Sequence, residues 1–217
     1  MFLEAGILTF LIYIIALLLT GYLDTHRISF LENEHKKFEI IEESSFAQTY
    51  FLEEFEEEYS CSDFKTAIYN KNIELRKIGE DLGNFGSLFL ESNVKNGEYY
   101  KEVYYLNQLD VYFQISAYNE KCQENIIPVF YFFSESSSFD VQGAYLEQFA
   151  LNNRNETYVF SFDINFNNSY VITSLKESLE VTSSPFVKVG NTTISNGWIS
   201  SLNEISIEFL RQRGEIQ

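Results

Sequence analysis

Two short apolar runs, "IIPVFYFF" (126–133) and "TYVFSFDI" (157–164), constrain this chain more than any other feature. Each is strand length rather than helix length, and each is apolar with little polar alternation, so both read as strands buried on two faces. Buried strands need helices over them, and the intervening "FDVQGAYLEQFALNN" reads as one. "SYVITSLKESLEV" follows as a helix with Ile172, Leu175 and Leu179 on one face. "PFVKV" and "TTIS", joined by "GN", form a hairpin, and "SLNEISIEFLRQR" closes the chain as a helix with Leu202, Ile205, Ile207 and Phe209 apolar. The order is β-α-β-α-β-β-α, an α/β domain over 126–217 whose first two strands are expected to be adjacent and parallel.

Upstream the texture is helical. Residues 24–59 read as a helical stalk, with Phe38, Ile41, Leu52, Phe55 and Tyr59 at three-four spacing. Its acidic end, "FLEEFEEEY", has no fixed ligand spacing and reads as a solvated face. Ser62 or Asp63 is expected to cap a second helix carrying Phe64, Ile68, Leu75, Ile78, Leu82 and Phe85. After a turn in "ESNVKNGE", a third helix from about Glu98 carries Val103, Leu106, Leu109, Phe113 and Ala117 along one side. Two long helices with a short connection pack antiparallel, so the stretch 24–125 is a stalk and a helical hairpin. That hairpin brings the start of one helix beside the end of the other. Cys61 and Cys122, the only cysteines, stand at those two places, which favours a disulfide over a pair of buried free thiols.

Residues 5–23, "AGILTFLIYIIALLLTGYL", contain no charge and would span about 28 Å as a helix. No basic start and no A-x-A-like site accompany them, so residues 1–23 read as a single-pass membrane anchor rather than a cleaved signal. Flanking charge hardly sets the orientation. The expected disulfide favours an extracellular location for the bulk of the chain. Three sequons, at Asn155, Asn167 and Asn191, carry no weight, because Asn, Ser and Thr are frequent enough here to give about three by chance. The formal charge of −17 makes nucleic-acid binding an unfavourable role.

"VFYFFS", "QG" at 142–143, "FSFDIN", "SSPFVKVG" and Gly197 resemble membrane-anchored, thioredoxin-like proteins of small-genome archaea. The resemblance covers nearly the whole chain and is most specific over the last 90 or so residues. It implies a thioredoxin fold with a cis peptide at Ser184-Pro185, facing the loop after the first strand. It departs from the family pattern at that loop. Set against "QG", the two positions of a Cys-x-x-Cys pair fall on Ser136 and Phe139, within "SSSF". A hydroxyl and a phenyl ring cannot do dithiol chemistry, so disulfide-reductase activity is not expected of the loop. Nor is a serine nucleophile. Its base would have to be His26 or His35, both far away in sequence. No metal or phosphate-binding motif is present, and no cofactor is expected.

Two functions follow as expectations. One is a membrane-tethered, redox-inactive thioredoxin-like module that holds an extended polypeptide or partner protein along the edge formed by Ser136, Ser137, Ser138, Phe139, Ser184 and Pro185. The other is a thiol-disulfide protein that uses Cys61 and Cys122 as its redox pair.

Overall fold

A computed structural model describes residues 13–15, 60–92, 94–134, 140–154 and 156–216. The chain divides into two compact units, Met1–Phe46 and Ala47–Gln217, and every element named below belongs to the second. Helix α1 (Cys61–Ser92) and helix α2 (Val94–Cys122) are followed by β1 (Ile127–Phe133), α3 (Val141–Asn152), β2 (Thr157–Asp163), α4 (Tyr170–Ser178), β3 (Phe186–Val189), β4 (Thr192–Asn196) and α5 (Leu202–Gln212).

The strands form one mixed sheet in the order β2-β1-β3-β4. The two apolar runs are neighbours and parallel, in register from Ile127 opposite Thr157 to Phe133 opposite Asp163. Strand β3 returns antiparallel to β1, and β4 pairs antiparallel with β3 through a turn at Gly190, whose φ is +53°. This region is α/β, with a layer of helices on each face of the sheet.

The two faces are filled differently. Odd-numbered residues of β1 (Ile127, Val129, Tyr131) pack with Leu146 and Phe149 of α3 and Ile205 and Phe209 of α5. Even-numbered residues (Phe130, Phe132) join Phe160, Phe162 and Phe186 in an aromatic layer, under Tyr105, Leu109 and Ile115 of α2 and Ile172 of α4. Ring centroids in that layer are 5.3 Å apart for Phe132–Phe162 and 5.0 Å for Tyr112–Phe130, spacings typical of favourable aromatic pairs. Phe64, Ile68 and Leu75 of α1 belong to the same cluster, so the hairpin and this face of the sheet share one core.

The Cys61–Cys122 disulfide is formed, with Cα atoms 5.8 Å apart. Several expectations need correction. Ser60, not Ser62 or Asp63, starts α1: its Oγ accepts from the Asp63 amide at 3.3 Å and donates to the Asp63 carboxylate at 2.6 Å. Helix α2 begins at Val94, so the connection is shorter than the turn expected in "ESNVKNGE". On α2, Phe113 is 59% exposed and Ala117 is also exposed, whereas Tyr105, Gln108, Gln114 and Tyr118 are buried. An apolar stripe alone misjudges a helix that packs on α1 and on β2 together. On α5, Ile207 is exposed and Glu208 buried, because positions 205, 208 and 209 share a helical face and 207 does not.

The single-pass membrane helix expected over 5–23 is not upheld, and the localisation expected for the chain, membrane-anchored with its bulk on the extracellular face, falls with it. Among the described residues no helix is long and apolar enough to cross a membrane. The long helices α1 and α2 carry charges throughout, such as Lys65, Lys71 and Arg76 on one and Lys101, Asp110 and Lys121 on the other. Of the run itself only residues 13–15 are described, and they are helical; its other residues and the stalk over 24–59 lie outside the described residues.

Candidate functional site

The C-terminal end of β1 is where the chain gathers its polar groups. Register places this end beside the start of β3. Phe132 faces Phe186, so continuing the antiparallel pair sets Pro185 and Ser184 against Phe133 and Ser134. The Ser184-Pro185 peptide is cis. Ser184 Oγ reaches the Phe132 carbonyl at 3.4 Å, and the Gly197 amide donates to the Pro185 carbonyl at 2.9 Å. Gly197 has φ +92°, and a Cβ there would stand 2.5 Å from Ser183 Oγ, so glycine is required where this strand meets the Ser183 turn. Ser183 is itself fixed, its amide and hydroxyl both donating to Asn196 Oδ1 at 3.0 Å.

The loop after β2 closes the same end. The Ile164 amide donates to the Phe133 carbonyl at 2.8 Å, and Asn165 Nδ2 donates to Ser134 Oγ at 3.3 Å. Lys176 of α4 holds this loop with three hydrogen bonds, to Ile164 O (3.0 Å), Phe166 O (2.8 Å) and Asn167 Oδ1 (2.6 Å). Burial lowers the pKa of Lys176, and the nearby Asp163 charge opposes that shift.

Asp140 anchors the return into α3. One carboxylate oxygen accepts from the Gly143 amide at 2.8 Å as the helix N-cap, and from the Tyr131 hydroxyl at 2.5 Å. Burial and the Asp140 carboxylate raise the Tyr131 pKa well above its ordinary value, so the phenol stays protonated and acts as a donor. Asp140, Tyr131 and Lys176 were absent from the sequence reading. An aspartate three residues before a glycine at a helix start was the available signal for Asp140.

Of the residues singled out from sequence, Ser184 and Pro185 lie at this end, while Ser136, Ser137, Ser138 and Phe139 lie outside the described residues. Cys61 and Cys122 are elsewhere. Cys122 ends α2 just before β1 begins, so the disulfide sits at the opposite end of the sheet, about 20 Å away along a seven-residue strand. Among the described residues no group of three or more His, Cys, Asp or Glu side chains is placed to hold a metal ion.

A groove of about 510 Å³ runs from Asp140 and Phe133 down the outer edge of β2, between α1 and α3. Its size is within the range of ligand sites. Part of that edge is already closed from α2. Gln108 Nε2 donates to the Ser161 carbonyl at 2.9 Å, the Ser161 amide donates to Gln108 Oε1 at 2.7 Å, and the Asp163 amide donates to the Tyr105 hydroxyl at 3.0 Å.

No family model and no curated protein matches this chain. A solved chain described as "Structure of a malarial protein" is 20% identical and covers 41% of this chain and 97% of its own length, with a TM-score of 0.32. At that score the likeness carries no argument about fold or function.

Proposed function

We propose that residues 126–217 form a thioredoxin-like binding module that holds an extended polypeptide or partner protein and does not exchange disulfides. The resemblance to thioredoxin-like proteins of small-genome archaea is part of this proposal, without the anchor. One observation carries it: both cysteines of the chain are bonded to each other at the end of the sheet opposite Ser184 and Pro185. The polar end therefore has no thiol within reach. It offers hydroxyls, main-chain groups and a carboxylate already committed to Tyr131 and Gly143. Such groups bind an extended chain by hydrogen bonding and leave it unmodified.

The thiol-disulfide reading has one observation in its favour, the exposure of Cys61. Its place at the mouth of a helical hairpin favours a structural bond. The test uses the full chain with a photo-crosslinking residue at Ser184 or, as control, at Asn119 near the disulfide. The probe is a reduced, carboxymethylated α-lactalbumin. Capture from position 184 and not from 119 is the expected result. Insulin reduction by the unmodified chain, lost in Cys61→Ser/Cys122→Ser, would establish the other reading.

A further inference from the structure

Among the described residues β2 is an edge strand, and only half of its outer edge is closed. The Ile127 amide donates to the Glu156 carbonyl at 3.0 Å, so even-numbered residues of β2 bond β1 and odd-numbered ones point outward. Ser161 and Asp163 are met by Gln108 and Tyr105. Among the described residues none bonds the outward amide and carbonyl groups of Thr157 and Val159. Those groups open onto the groove between α1 and α3.

The walls give the opening a chemistry. From α1, Tyr69 and Ile73 stand one turn apart along it, 46% and 49% exposed. From the α3 side come Glu147 and Arg154, both exposed, with Ala150 between them. Neither charge has a salt bridge among the described residues.

We propose that this groove takes a short extended peptide as an added strand on β2, pairing with Thr157 and Val159 and stopped at Ser161 by Gln108. Alternate side chains of the peptide face the two walls. The chemistry that fits is one apolar side chain against Tyr69 and Ile73, with a basic residue toward Glu147 and an acidic one toward Arg154. The site is distinct from the Ser184–Pro185 edge and stands whether or not that edge binds anything.

A displayed library of random octapeptides, selected on the full chain, tests it. Peptides recovered are expected to alternate apolar and polar residues and to carry a basic and an acidic residue on the same side of the strand. The Val159 amide is expected to exchange fast in the free chain and to be slowed by a recovered synthetic octapeptide. Ala150→Trp, which fills the groove, weakens binding at least tenfold. Glu147→Lys/Arg154→Glu does the same, and the peptide with its charges exchanged recovers it. Four results overturn the proposal. These are no recovery above background, binding to Ala150→Trp within twofold, a Val159 amide as protected in the free chain as that of Val129, or a dimer of the chain dissolved by Ala150→Trp. A photo-crosslinker at Ser184 separates the two sites. Loss of capture there with groove binding intact defeats only the function proposed above.

Discussion

The two ends of the sheet are secured by different means. At the start of β1, a covalent bond joins Cys61 to Cys122, and Asn119 brackets Ile126, accepting from its amide at 2.9 Å and donating to its carbonyl at 2.8 Å. At the far end of β1 there is no covalent link. Asp140, Ser134, Ser184 and Asn165 hold the loops through hydrogen bonds alone. An end closed covalently contributes to stability. An end closed by hydroxyls and main-chain groups keeps donors and acceptors that a partner can share. Under the proposed function, stability falls to the cysteine end and binding through Ser184 and Pro185 to the other.

The largest test of that division is removal of the bond. Closing a loop of 61 residues contributes about 4 kcal/mol in the chain-entropy account, so Cys61→Ser/Cys122→Ser should lose most of that in urea unfolding. Capture by a crosslinker at Ser184 should persist under conditions where the variant is still folded. A variant that unfolds with unchanged midpoint would mean the cysteine end is not the stabilising one.

At the other end the decisive residue is Asp140. Asp140→Ala removes the α3 cap and leaves the buried Tyr131 hydroxyl without its acceptor, at a combined cost of about 2–3 kcal/mol. Asp140→Asn keeps an acceptor oxygen and should cost about half as much. In the background of Tyr131→Phe the alanine change should hurt less, because no hydroxyl is stranded. Equal losses in both backgrounds would show that Tyr131 and Asp140 are not coupled.

Between the ends runs the edge of β2, where Gln108 closes Ser161. Gln108→Ala should cost about 1–2 kcal/mol, since it opens two hydrogen bonds to one residue. Hydrogen exchange is the sharper reading. The Ser161 amide should speed up while the Val129 amide, which points into the sheet, does not change. If both accelerate together, Gln108 holds the whole sheet rather than its edge.

Much of this layout was legible in the residues, and the reason is local. Eight-residue apolar runs, the "GN" turn and cysteines at two helix ends are patterns a reader can count. What stayed hidden depends on who neighbours whom. Gln108 and Tyr105 look like interruptions of an apolar stripe until β2 is known to be an edge strand that needs its outward groups met. The same is true of the groove. Nothing in "TYVF" says that the main chain of Val159 is open on one side, because that follows from the strand order β2-β1-β3-β4 and not from composition. Glu208 is the exception, since its helical phase with Ile205 was available and its charge argued against using it.

Glu208 gives the smallest and most condition-dependent effect, on α5 beside Thr192 at the start of β4. Its side chain is 4% exposed and accepts from Gln212 Nε2 at 2.8 Å, with Arg211 alongside. Burial pushes its pKa up, but hydrogen bonds with Gln212, Thr192 and Arg211 and the Arg211 charge outweigh it, holding the carboxyl below its ordinary value of 4.5. A carboxyl depressed in the folded state adds stability above its unfolded pKa and loses it as pH falls through the folded one. Arg211 is half exposed, so water screens its share and the hydrogen bonds dominate. Glu208→Gln should therefore cost about 1 kcal/mol near pH 7, and the gap to the parent should close as pH drops below 4.5. Paired unfolding curves between pH 7 and pH 3 read that gap directly. A gap that stays constant across the range would mean the buried carboxyl is protonated throughout, and that α5 is held on the sheet by packing alone.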